Sequence, residues 1–227
     1  MIEFHAPAAD APELALSPLH RAAMLTLQHL VETGPIGLTP NYAMKRYFVT
    51  WAAEAFQWPG YLPEDLYAIN KVLNEHDFPP LYALHDLLLS AKLVRRRKGH
   101  LHITKFGKDL LAHPGSLWIA LAQHLLLASG HDDMLDVEWV SVLSAVNVEA
   151  HEGVSQTDFC RRLMGVEEGD YHLRSLIYVH VLRPLCWLGL LHDAGESRSE
   201  RFFTKTALWP VALTFEDQPP LPPVTRH

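Results

Sequence analysis

The stretch Ala91-Lys92-Leu93-Val94-Arg95-Arg96-Arg97-Lys98-Gly99-His100-Leu101-His102-Ile103-Thr104-Lys105-Phe106-Gly107 decides how this chain reads. Upstream of it, apolar residues recur at helical spacing. Within it the period drops to two on either side of Gly99, as in two short strands about a glycine turn. Thr104 to Gly107 then leads into a short helix over residues 108–112. Working back from the hairpin, Pro79-Pro80 opens a helix that carries Leu81, Leu84, Leu87 and Leu88 inward, and Pro63 opens one carrying Leu66, Ile69, Val72 and Leu73. Thr39-Pro40 marks a further helix start. Tyr47, Phe48, Trp51, Ala52, Ala55 and Phe56 come after it at helical spacing, with Lys45 and Arg46 turned away. Ser17-Pro18 supplies an N-cap with proline at the first helical position. Leu19, Ala22, Ala23, Leu27 and Leu30 form the stripe behind it, and Gly34-Pro35 ends the helix. Helices, a hairpin and a closing helix are the order of a winged helix.

The order returns. Ser155 caps a helix with Phe159, Leu163 and Met164, and residues 171–188 form a longer helix that Pro184 must kink or divide. Gly189-Leu190-Leu191-His192, a polar turn over 194–200 and Phe202-Phe203-Thr204-Lys205 make a second hairpin with a longer tip. Lys92-Leu93-Val94 with Ile103-Thr104-Lys105 matches Gly189-Leu190-Leu191 with Phe203-Thr204-Lys205, although two apolar hairpins can also agree by chance. Between the repeats lie an apolar stretch, 117–128, and an amphipathic one, 134–150, with Leu135, Trp139, Val142, Leu143 and Val146 on one side. They are too apolar for a free linker and should pack against both repeats.

The expected fold is mainly α with short β-hairpins, as tandem winged-helix-like units joined by a helical connector. Residues 1–16 read as a flexible leader, 17–114 as the first unit, 115–153 as the connector, 154–215 as the second unit and 216–227 as a Pro-rich tail. The tail run Gln218-Pro219-Pro220-Leu221-Pro222-Pro223 favours polyproline II.

With 227 residues, 48% hydrophobic and 20% charged, the chain can bury a substantial core and is not disordered throughout. A net charge of −7 argues against a surface coated in nucleic acid, yet allows a local basic patch. Cys160 and Cys186 sit in apolar helical patterns and read as buried free thiols in a reducing compartment. The amino terminus lacks the basic start and apolar run of a secretory signal, and Gln123 and His124 break the most apolar stretch. A cytoplasmic protein without a membrane partner is expected.

Several blocks also resemble a known family. They are Ile36-Gly37-Leu38-Thr39 leading to Lys45-Arg46-Tyr47-Phe48-Val49, the run Asn74-Glu75-His76-Asp77-Phe78-Pro79, the hairpin segment 91–107, and Leu182-Arg183-Pro184-Leu185-Cys186-Trp187-Leu188-Gly189-Leu190 with Thr204-Lys205-Thr206-Ala207-Leu208-Trp209. The likeness is to the carboxy-terminal region of a bacterial family of uncharacterised proteins named after an open reading frame of a root-inducing plasmid. It runs from about Ser17 to Phe215 and implies that the amino-terminal domain of that family is missing here. It implies no activity, substrate or cofactor.

The leading candidate site is the basic run Lys92, Arg95, Arg96, Arg97 and Lys98, with Lys105 and Lys108 nearby. Cations crowded at a hairpin tip repel one another and favour a phosphate backbone or an acidic protein partner. Such contacts position a protein without reading bases. The plainer reading of the same run is a solvated edge strand guarded by charge. The helix before the hairpin offers His85, Asp86 and Ser90, and Asp86 repels phosphate, which suits base reading poorly. Arg174, Ser175, Tyr178 and Arg183 are better candidates in the second unit, with a structural pairing as the alternative for Arg183.

Among fifteen histidines, His100 and His102 share a strand face without an evident third ligand. His131, Asp132, Asp133 and Asp136 read as an acidic helix start, and His172 and His180 as packing or wetted residues. Glu75, His76 and Asp77 hold acid/base chemistry in principle, but neighbours at a helix end diverge, and a cap into Phe78-Pro79 is the simpler role. The chain carries no phosphate-cradling glycine loop, paired His-Glu zinc motif or serine elbow. The sequence therefore reads as a non-catalytic interaction module with no catalytic residue, metal or cofactor, holding a nucleic-acid backbone through its wing. A protein–protein scaffold or self-associating module is the alternative, and a metal-dependent enzyme comes last.

Overall fold

The computed structural model describes residues 2–128, 139–165, 170–195 and 201–215. The chain divides into two compact units, one formed by 6–129 and the other by 1–5 together with 130–227. Helices dominate both; the first carries one small antiparallel sheet and the second two among the described residues. The helices expected as a separate connector are shared out, 115–128 in the first unit and 139–153 in the second.

Strand β1 (Ile2–Phe4) belongs to the second unit. In the first, a 3-10 turn over Pro12–Leu16 seats Leu14, and α1 (Pro18–Glu32) starts as read, with the Ser17 hydroxyl accepting from His20 N–H at 3.1 Å. Next come β2 (Ile36–Gly37), α2 (Arg46–Phe56), α3 (Pro63–Ile69) and α4 (Pro79–Ser90). The hairpin is formed by β3 (Val94–Arg97) and β4 (His100–Ile103). After it come α5 (Lys105–Leu111) and α6 (Pro114–Gln123), which runs into a π-turn at His124–Ala128. Lys98 and Gly99 turn the hairpin with φ of 50° and 71°, the pair of left-handed residues that a tight hairpin needs. The sheet order is β2-β4-β3, with Ile36 opposite Leu101 and Val94 opposite Ile103. Phe48, Phe56, Trp58, Phe78 and Trp118 lie fully buried in this unit.

The structure corrects three expectations. Thr39-Pro40 does not start a helix: the Thr39 hydroxyl accepts from Ala43 N–H at 3.1 Å and Tyr42 N–H bonds Thr39 O at 2.9 Å, closing a turn instead. Helix α2 begins later and buries Phe48, Val49, Ala52, Ala53 and Phe56, leaving Tyr47 exposed. Helix α3 stops at Ile69, because Asn70 is already extended, so the helical period no longer places the residues beyond it. Ile69 is 85% exposed and Val72 is also outside, while Leu66 and Leu73 reach the core. The leader, finally, has structure: β1 is paired, and Pro7 O lies against Gly115.

The second unit runs α7 (Trp139–Glu149), β5 (Val154–Ser155), α8 (Gln156–Met164), α9 (Tyr171–Ile177), a π-turn (Tyr178–Leu182), α10 (Arg183–Trp187), β6 (Leu191–Asp193), β7 (Phe202–Lys205), α11 (Leu208–Ala212) and β8 (Leu213–Phe215). Pro184 divides the long helix as expected. It has no N–H to give to the turn before it, and the ladder widens there into the π-turn. Strand β8 pairs with β1, placing Ile2 opposite Phe215. The sheet order β5-β7-β6 repeats that of the first unit.

The repeat is real in position but shifted in one strand. Leu93 N–H bonds Leu88 O at 2.9 Å, and Leu190 N–H bonds Leu185 O at 2.9 Å, so Leu93 and Leu190 correspond as read. Ile36 and Val154 pair with Leu101 and Phe203, which makes Phe203 the counterpart of Leu101 rather than of Ile103. Thr104 and Thr206 then correspond, each bonding back to the residue that closes the preceding helix, Lys92 or Gly189. Matching the two Thr-Lys pairs in the sequence misplaces the strand by two residues. The short strands β2 and β5 have no counterpart in the sequence reading.

Among the described residues no helix is long and apolar enough to cross a membrane. His131, Asp132, Asp133, Asp136, Leu135, the hairpin tip 196–200 and the Pro-rich tail lie outside the described residues.

Candidate nucleic-acid interface

The order β2-β4-β3 leaves β3 as the edge strand, and the basic run is that edge. Four residues at about 3.3 Å rise give a strip on the order of 13 Å long, rather than the crowded tip expected from the sequence. Arg95 and Arg97 face one side, opposite His102 and His100, and Arg96 faces the other, opposite Leu101. Lys98 occupies the turn. Lys92 precedes β3, and Lys105 and Lys108 lie on α5 just after β4; the Thr104 hydroxyl ties these two chain segments together, donating to Lys92 O at 2.8 Å and accepting from Gly107 N–H at 2.9 Å. All seven cations are exposed on the first unit. Among the described residues, none of them has a carboxylate within ion-pair distance.

The described arginines of the second unit are differently disposed. Arg161 pairs with Asp158, Arg162 with Glu149 and Arg201 with Asp193. Arg174 donates to Thr157 Oγ1 at 2.7 Å, Arg183 lies 4.8 Å over the Trp187 ring, and Arg201 lies 3.9 Å over Tyr178. Arg174, Tyr178 and Arg183, the sequence candidates for base reading, are thus engaged in internal contacts. Ser175 is exposed beside them.

Helix α4 departs from the sequence reading at one residue. His85 is buried, with Nδ1 2.6 Å from Glu75 Oε1, while the other oxygen of Glu75 accepts from Met44 N–H. The exposed face of α4 shows Tyr82, Asp86 and Ser90, so a carboxylate stands where a base-reading helix needs donors. The group Glu75, His76 and Asp77 is split only in part, because His76 Nε2 stays 3.4 Å from Asp77 Oδ1. Glu75 turns inward, His76 is exposed, and the Asp77 carboxylate accepts from Asn74 N–H at 2.8 Å, which holds it below its ordinary value. His100 and His102 have ring centroids 6.3 Å apart, facing Arg97 and Arg95, whose charge disfavours a cation. Cys160 and Cys186 are free, and burial pushes both thiols up, Cys160 to about 11.

Comparison with known proteins gives two family matches. The model described as the Y4jL N-terminal domain covers residues 15–116, and the one described as the y4jL C-terminal domain covers 129–207. The "Uncharacterized protein y4jL" of Sinorhizobium fredii (strain NBRC 101917 / NGR234) is 38% identical over 161 residues, 68% of this chain and 73% of that relative. The chain belongs to the Y4jL family. The likeness to a family of uncharacterised bacterial proteins is borne out, and it takes in the Y4jL N-terminal domain as well as the C-terminal one. The C-terminal Y4jL match begins at 129, within one residue of the division between the units at 129/130, and all seven basic residues fall inside the N-terminal match. No solved structure matches the chain.

Sequence reasoning missed Tyr42. It is exposed, it has a left-handed φ of 62°, and the Arg96 guanidinium lies 5.2 Å from its ring centroid. The signal is present in Thr39-Pro40-Asn41-Tyr42, a turn composition that also fits a helix start.

Proposed function

We propose that this chain is a non-catalytic pair of winged-helix-like units whose first unit grips a nucleic-acid backbone along the β3 border. The winged-helix reading is supported by the element order and by the matching sheet orders β2-β4-β3 and β5-β7-β6. One contrast carries the binding reading. Among the described residues, the cations of the first hairpin lack carboxylate partners, while Arg161, Arg162, Arg174, Arg183 and Arg201 of the second unit are engaged by its own acids, hydroxyls and rings. A strip of this length spans two to three phosphates, at roughly 6–7 Å each along a strand, and binding releases their counterions. Specificity is not the task of this surface, since Asp86 sits on the face that would read bases.

A salt titration tests it. The logarithm of the affinity should fall linearly with log salt, and replacing Arg95, Arg96 and Arg97 together by alanine should reduce the magnitude of that slope by roughly 2–3. No affinity for DNA or RNA at low salt removes the reading.

The exposed apolar side chains Tyr67, Ile69 and Val72 favour a second reading, a protein–protein scaffold or a self-associating module. Sedimentation of wild type against Ile69→Asp separates the two, because only this second reading expects a change in assembly.

A further inference from the structure

The β3 border ends in a cleft lined by Leu38, Tyr42, Arg96, Arg97, Lys98 and Gly99. One wall is the 39–42 turn and the other is the hairpin tip. Leu38 N–H bonds Gly99 O at 2.8 Å, and the Thr39 bonds fix the turn, so the separation of the walls is set by backbone rather than by side-chain choice. The Tyr42 ring stands in this cleft 56% exposed, beside the Arg96 guanidinium.

The backbone here is unusual for its residues. Tyr42 and Lys98 both have positive φ, 62° and 50°, where glycine or asparagine is the unstrained choice. A turn alone would be served better by those smaller residues. Keeping an exposed aromatic and a lysine at the two strained positions puts a flat ring and an ammonium at the mouth of one cleft, and strain of this kind collects at binding sites.

We propose that the cleft takes one unpaired nucleobase, stacked on Tyr42 beside Arg96, with the flanking phosphates on Arg97 and Lys98. The first unit then prefers single-stranded nucleic acid to duplex. This rests on the backbone-binding reading above and adds to it a class of substrate. A base inside a duplex has both faces covered by its neighbours. A base in a single strand offers an open face, and stacking on an aromatic ring tolerates any sequence.

The test is fluorescence anisotropy at one low salt concentration with three labelled probes of equal length: oligothymidylate, an abasic strand, and a duplex. Tyr42→Asn removes the ring while suiting the left-handed backbone, so its loss of binding is not a loss of fold, and Tyr42→Phe keeps the ring. The wild type should bind oligothymidylate more tightly than either other probe. Tyr42→Asn should lose about tenfold on oligothymidylate and nothing on the abasic strand or duplex, with Tyr42→Phe close to wild type. If Tyr42→Asn leaves oligothymidylate binding intact, or the base-bearing and abasic strands bind alike, the stacking inference is wrong while backbone binding stands. If no nucleic acid binds, both fall. Polyglutamate competing as well as oligothymidylate would overturn this inference in favour of an acidic protein segment.

Discussion

His85 Nδ1 meets Glu75 Oε1 at 2.6 Å, both side chains buried, across the short 3-10 turn that precedes α4. The same carboxylate also holds Met44 N–H, so one acid ties the middle of α4 to the segment leading into α2. Among the described residues, His85 Nε2 is buried without a hydrogen-bond partner, which makes the pair a costly way to build a core.

Removing one member should therefore cost more than removing the interaction. His85→Leu leaves the Glu75 charge buried without its ring partner and should lower stability by about 3 kcal/mol. Glu75→Gln keeps an acceptor for Met44 N–H and should lose less. Urea denaturation of the two variants gives the ordering, and equal losses would refute it.

His20 sets an acid limb. Burial is the main cause that pushes this imidazole from 6.5 down to about 4, against a bond to Pro114 O at 3.1 Å that raises it. The native ring stays neutral while the unfolded chain takes up a proton below 6.5. Its stability contribution is thus whole above 6.5 and drains as pH falls toward about 4, by about 3 kcal/mol at most. His20→Gln should flatten this part of a stability profile measured by urea midpoints, whatever it costs at neutral pH.

Lys92 closes α4 with φ 58°, in the place where Gly189 closes α10 with φ 76°. Relieving the left-handed lysine by Lys92→Gly should stabilise the fold by about 0.5–1 kcal/mol. The same variant removes one cation, so its nucleic-acid salt slope should drop by roughly 1. A gain in melting temperature accompanied by weaker binding is the expected combination.

Gly107 lies on α5, where an added Cβ would stand 2.2 Å from Leu93 O. The obstacle is backbone and cannot swing aside. Gly107→Ala should cost about 1–3 kcal/mol in a thermal melt and displace α5, which carries Lys105 and Lys108.

Much of the architecture can be read from the sequence because its signals are local. Ser17, Pro63, Pro79 and Ser155 all start helices where the sequence places them, and Gly99 turns the hairpin. The errors arise where tertiary partners decide. Strands β2 and β5 are two residues long, too short to show a period, and exist only because β4 and β7 lie beside them. Ile69 and Val72 look like core by spacing, but α3 ends before the spacing applies. At the candidate interface, the seven cations are plain in the sequence. The placing of Arg95, Arg96 and Arg97 on alternate faces of an edge strand emerges only from the register of Arg96 opposite Leu101. Tyr42 and His85 mislead for opposite reasons, an aromatic left outside and an imidazole drawn inside.

The pairing of β1 with β8 has a practical outcome for anyone cutting this molecule apart. Residues 1–5 complete the body formed by 130–227, so the 6–129 body is an insertion, entered and left by separate crossings of the chain. A fragment beginning at 130 would keep β8 but expose its open side, whereas a fragment spanning 6–129 severs no strand pairing. A label or fusion placed before Ile2 accordingly touches the later-synthesised body rather than its immediate neighbour in the sequence.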